Sequence, residues 1–230
     1  MKKLLALAAV LGLSTQVYAT PFDLTNWTET PGGDWTVAAD GSNVFQSTNG
    51  QPTYFLSEDN YINTVFSGSF GVETSSDDDY IGFVFGYNNS DDYLLFDWKQ
   101  GWHNSAESGF TLSRISGSNV DLWGHSGSDL TVLASDYTTR DTFRGWLDNT
   151  SYAFTLDYSD TNIRIDIDGN TIFDVDGSFS DGKFGFYNYS QSHVRYSGFE
   201  QAVSENVPEP STLVIFALGV MGLAVRRFEK

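Results

Sequence analysis

Hydrophobic and polar positions along the middle of the chain alternate with a period of two. The runs are short and separated by Gly, Asn, Asp and Ser at intervals of about 8–12 residues, as expected of strands joined by turns. From Tyr80 to Tyr87 the alternation places Ile81, Phe83, Phe85 and Tyr87 on one face and Tyr80, Gly82, Val84 and Gly86 on the other. Tyr93 to Gln100 repeats the pattern with Leu94, Phe96 and Trp98, and Asn88 to Asp92 reads as the hairpin loop between them. A second hairpin is predicted from Asn162 to Val175, where Ile163, Ile165 and Ile167 alternate with polar residues before Gly169-Asn170 turns the chain. Phe184 to Tyr187 and Val194 to Phe199 supply late strands. Helical periodicity is nearly absent between the chain ends, so an all-β fold of two packed antiparallel sheets, a β-sandwich, is expected for residues 20–201.

The two ends follow different rules. Met1 to Ala19 has Lys2-Lys3, the apolar run Leu4 to Leu13 and a Val17-Tyr18-Ala19 cleavage pattern, which is the layout of a secretory signal helix. Residues 202–212 read as a linker containing Val207-Pro208-Glu209-Pro210. Residues 213–230 read as a short transmembrane helix, Leu213 to Val225, with a basic end. Thirteen residues span only ~20 Å of a ~30 Å hydrocarbon core. Such a segment suits a transient membrane tether, with Arg226-Arg227 held on the cytoplasmic side. Val207 to Lys230 resembles a PEP-CTERM sorting signal of Gram-negative bacteria. That resemblance implies processing by an exosortase and delivery to the cell surface or extracellular matrix. Its basic cluster departs from the pattern only in being interrupted by Phe228-Glu229.

Charge sharpens this division. The whole chain carries −18, but Thr20 to Asn206 holds 28 acids and seven bases, a net charge of −21. A body this acidic repels nucleic acid and anionic membrane surfaces. Asp outnumbers Glu by 22 to eight, which places much of the charge in turns and supplies short carboxylates suited to Ca²⁺. Zero Cys excludes disulfides, thiolate metal sites and a Cys nucleophile.

Enzyme chemistry finds little footing. The Glu residues are scattered, and no strand carries the alternating acids that many sandwich-fold glycosidases use. Asp166 and Asp168 have that spacing but run into a turn beside Arg164. Counted with Asp166 as position one, Gly169 stands at the fourth position, where an EF-hand loop needs Gly at the sixth. His103, His125 and His193 have no nucleophile elbow and no short metal-ligand spacing among them. Trp102, Trp123 and Trp146 lie in loop-like sequence, where packing competes with sugar stacking. Gly82 and Gly86 leave a bare strip for a ligand or for a covering aromatic ring. The sharper candidate is Asp77-Asp78-Asp79, three adjacent carboxylates whose repulsion a divalent cation would relieve. From spacing alone, a charged soluble turn explains the triplet equally well.

The run from Asp77 to Tyr87, followed by Tyr93 and Trp98-Lys99-Gln100, resembles the C-terminal domain of thrombospondins. Phe66 to Phe70 and Lys183 to Asn188 extend the likeness upstream and downstream. It implies a concanavalin A or L-type lectin-like jelly roll, Ca²⁺ at Asp77, Asp78 and Asp79, and a role in adhesion or matrix contact. The Asp-rich repeats that precede this domain in thrombospondins are missing. The expected protein is a secreted, surface-sorted, calcium-binding adhesion protein, not an enzyme, with exopolysaccharide or another glycan as candidate partner. A carbohydrate-active enzyme on the same fold and a purely structural matrix protein are the alternatives.

Overall fold

A computed structural model describes residues 16–138 and 144–205, with side chains for residues 19–136 and 144–202. Residues 19–202 form one compact unit, and residues 1–18 with 203–230 are grouped as another. The expected signal helix up to residue 15 and the sorting tail from residue 206 lie outside the described residues. Among those described, no helix is long and apolar enough to cross a membrane.

The elements in chain order are strands, with one short 3-10 turn at Leu24–Asn26. The first strands are β1 (Gln16–Pro21), β2 (Thr28–Glu29), β3 (Trp35–Val37), β4 (Asn43–Gln46) and β5 (Thr53–Tyr61). The middle strands are β6 (Thr64–Val72), β7 (Tyr80–Asn89), β8 (Asp92–Lys99), β9 (Ser108–Ile115) and β10 (Leu130–Thr138). The last are β11 (Ser151–Tyr158), β12 (Asn162–Ile167), β13 (Asn170–Asp176), β14 (Gly182–Tyr189) and β15 (Val194–Glu205). The cleavage pattern at residues 17–19 therefore falls within β1, and β15 runs on into the stretch read as linker.

Two antiparallel sheets make the sandwich. One has the order β13-β12-β11-β6-β15-β4-β3, with β1 also pairing β15. The other is β10-β9-β8-β7-β14-β5-β2. Their inner faces meet in an aromatic core. Rings from opposite sheets stack or tilt together, with Phe66–Phe184 at 4.9 Å, Phe83–Phe154 at 5.0 Å, Phe184–Phe199 at 4.6 Å and Phe186–Tyr196 at 4.4 Å between centroids. Each such ring contributes about 1.5–3 kcal/mol by leaving water, with ring geometry adding to it.

A second apolar layer lies on the outer face of the β10-to-β2 sheet. Tyr80, Val84, Tyr93, Leu95, Ile115 and Tyr187 pack there beneath Ala106, Val120, Leu122 and Trp123, which come from the two loops flanking β9. This layer corrects one expectation. Tyr87 joins Tyr54 and Tyr93 in the outer cluster, on the side opposite Phe83 and Phe85. The cause is Gly86, whose φ of 56° kinks β7 at the point where its register with β8 shifts. The strand is thus buried on both faces over most of its length.

Candidate metal centre

The loop after β6 delivers Asp77, Asp78 and Asp79 directly to the first residue of β7. One oxygen from each carboxylate lies within 4.8 Å of the others. The sequence neighbours thus do converge, and the loop is braced to keep them together. The Asp79 N–H donates to Gln191 Oε1 at 2.9 Å, and the indole of buried Trp146 donates to the Asp79 carbonyl at 3.0 Å. Gly101 donates its N–H to the Asp78 carbonyl at 3.0 Å, and its bare Cα leaves room for the Asp78 carboxylate. The Asn49 amide donates to Asp77 Oδ2.

The three acids differ in environment. Asp78 is half exposed and Asp79 is buried. Burial, followed by the negative charge of Asp79, pushes the Asp77 carboxyl above the ordinary carboxylate value.

A partner that spacing did not suggest sits at the centre of this loop. Lys99, at the end of β8, is fully buried and pairs with the Asp79 carboxylate. Its ammonium also donates to the Asp78 carbonyl at 3.1 Å and lies 3.8 Å from the Asp78 carboxylate. The rings of Trp123 and Tyr80 stand 4.9 and 5.3 Å from the nitrogen, a cation–π cradle. Three carboxylates against one ammonium leave a net charge of −2. Oxygen donors with that charge fit a hard divalent cation. Asp77 and Asp78 would supply most of the coordination, with Asp79 shared between the ion and Lys99.

The three histidines also find places. His125, at a φ of 47° in the loop after β9, binds both oxygens of Asp97 at 2.9 and 3.1 Å. Both residues are buried, and the pair lies one alternation along β8 from Lys99. Burial raises the Asp97 carboxyl above its ordinary value. Burial alone would lower His125, but Asp97 outweighs it through charge and hydrogen bond, and the net direction is upward. Sequence distance between Asp97 and His125 hid this pair; only the hydrophobic Val120 to Trp123 segment hinted that its loop folds back on the sheet. His103 packs edge-on to Trp123, and His193 contacts Ser192 Oγ and the Phe45 ring.

The weaker candidates other than Trp102 settle into structural roles. Arg164 binds Asp166, and Asp168, at a φ of 48°, accepts the Ala153 N–H in the β12–β13 turn. Trp146 is core, Trp123 packs on Tyr80 and Tyr189, and Trp102 is the most exposed of the three. Gly86 is covered by Tyr158, and Gly82 lies against the β8 backbone.

This geometry can be set beside known proteins. Bovine (Bos taurus) cartilage oligomeric matrix protein is 28% identical over 204 residues, covering 76% of this chain and 26% of that protein. The chain thus spans about a quarter of the length of this curated relative. Among solved structures, the carbohydrate-binding module CBM66 from Bacillus subtilis superposes with a TM-score of 0.57 at 14% identity, covering 76% of this chain and 94% of the module. The exoplasmic domain of VIP36, solved in a Ca²⁺- and mannose-bound form, gives 0.53 at 12% identity over 80% of this chain and 84% of that one. At those identities the two superpositions establish a shared lectin-like sandwich fold and nothing finer. The family models are more specific, because their matches take in the whole acidic loop, Lys99 and Trp123 at one end and the sorting tail at the other. Residues 30–123 match the model of the thrombospondin C-terminal region, and residues 206–227 match that of the PEP-CTERM protein-sorting motif.

Proposed function

We propose that this protein is exported, sorted to the bacterial surface, and works there as a Ca²⁺-binding adhesion or matrix domain that contacts glycan. The observation that carries the metal reading is the convergence of Asp77, Asp78 and Asp79 within 4.8 Å around a residual charge of −2. Its position inside the thrombospondin-like residues supports the assignment. The ion would neutralise the loop and hold it against β7. A matrix role accords with the cartilage matrix relative, and glycan contact accords with the carbohydrate-binding proteins that share the fold. The PEP-CTERM motif supports an exosortase as the processing partner, with a transient inner-membrane tether before release.

Titrating CaCl₂ into the purified protein while following thermal unfolding tests the metal. At Ca²⁺ about 100-fold above Kd, the melting temperature should rise by about 5–10 °C. Asp78→Ala, which removes a half-exposed ligand without orphaning Lys99, should erase that rise. An unchanged melting curve at millimolar Ca²⁺ would refute the metal site. For the tail, intact mass spectrometry of surface material should show a chain lacking residues 213–230.

A further inference from the structure

A polar cleft of about 190 Å³ opens at one end of the sandwich, between the β7–β8 hairpin and the connection from β13 to β14. Asn88 and Asp92 line it from the hairpin, Arg114 from β9, Tyr158 from the end of β11, and Phe179 and Ser180 from the connection. We propose that this cleft is a binding subsite for one uncharged sugar unit of a polysaccharide.

Four observations combine in that assignment. First, Arg114 has no carboxylate within ion-pairing distance among the described residues, unlike Lys99, Arg144, Arg164 and Arg195. One of its donors reaches the Ser178 carbonyl at 2.9 Å, and a guanidinium has five. Second, the group is fixed in place, since its central carbon lies 5.2 Å from the centroid of the buried Phe179 ring. A held fork loses little freedom when it binds vicinal hydroxyls. Third, the neighbouring strand β8 offers an acceptor, because the Asp92 carboxylate is engaged by the Asn88 amide at 3.1 Å and keeps further lone pairs. Tyr158 donates its hydroxyl to the Ser180 carbonyl, tying the connection to the sheet.

The fourth observation is charge and size. One guanidinium and one carboxylate line the cleft, so the lining is neutral inside a body of −21. An anion would meet Asp92 and the general field, and a cation would meet Arg114. Hydroxyl groups, each donor and acceptor, match both Arg114 and Asp92. The volume is below the roughly 300–1,000 Å³ of drug-sized pockets and suits a single ring.

This proposal rests on the glycan-contact reading, and it is separable from the metal. Cellotetraose, laminaritetraose, mannotetraose and trigalacturonate would be titrated calorimetrically into the full protein in the presence of EDTA. At least one neutral oligosaccharide should bind, and Arg114→Ala and Asp92→Ala should each weaken it by about tenfold or more. Asn88→Ala, at an exposed hairpin position, carries the same expectation if Arg114→Ala disturbs folding. Binding of trigalacturonate alone, no binding at all, or parental affinity in all three variants would overturn the cleft. Sugar binding without any Ca²⁺-dependent stabilisation would leave the cleft standing and remove the metal site; the converse would remove the cleft alone.

Discussion

Lys99 shows how much one side chain can hold. Its ammonium is wholly buried, yet it joins the acidic loop, the end of β8 and the Trp123 loop. Replacing it with Met would leave Asp79 buried without a counter-charge, and breaking such a pair costs about 3–5 kcal/mol. Denaturant unfolding should show that loss for Lys99→Met, with much of it recovered in the Lys99→Met, Asp79→Asn double variant. The His125–Asp97 pair adds a pH dependence. The His125 value is raised above the ordinary 6.5. Its contribution to stability is therefore complete below about pH 6.5 and is lost as pH rises through the higher folded-state value. Melting temperatures measured from pH 6 to pH 9 should fall through that window, and His125→Gln should flatten the fall. At this scale the acidic triplet was legible because its residues are adjacent. Lys99, Asp97 and His125 were not legible as partners, since residues 78, 97, 99 and 125 meet only after β7, β8 and β9 pair and a loop folds over them.

The elements tell the reverse story. Most of the β7–β8 and β12–β13 hairpins could be read from alternation and turn residues: β12 has one buried face, and β7, buried on both, still sets Ile81, Phe83 and Phe85 against Gly82, Val84 and Gly86. The limit came at Gly86, where one residue with positive φ shifts the later part of β7 by one side and sends Tyr87 outward. Alternation carries no mark of such a bulge except the glycine itself. Gly82 has a different use. A Cβ there would strike the Phe96 carbonyl of β8 and come within 2.9 Å of the Asp97 Cα, so the pairing of β7 with β8 depends on a bare position. Gly82→Ala should destabilise the fold by about 1–3 kcal/mol, the usual cost of overpacking. Guanidinium chloride unfolding would measure it, and loss at β7 should also loosen the acidic loop that begins the strand.

Across the molecule, the aromatic core and the acidic surface are two parts of one arrangement. The rings from both sheets supply the apolar burial, and the carboxylates are divided between loops and strands. Composition announced that division; the closure of each sheet did not follow from it. The strands that end the two main sheet paths are β13, β3, β10 and β2. Two of them have only two or three residues, β10 is interrupted by a bulge near Leu133 and bears the Asp136–Arg144 pair, and β13 carries Asp174 and Asp176. Unpaired backbone along such edges would otherwise recruit strands from neighbouring copies. On the proposed bacterial surface copies would meet at high density, and these blunted margins would let them pack side by side without zipping into fibres.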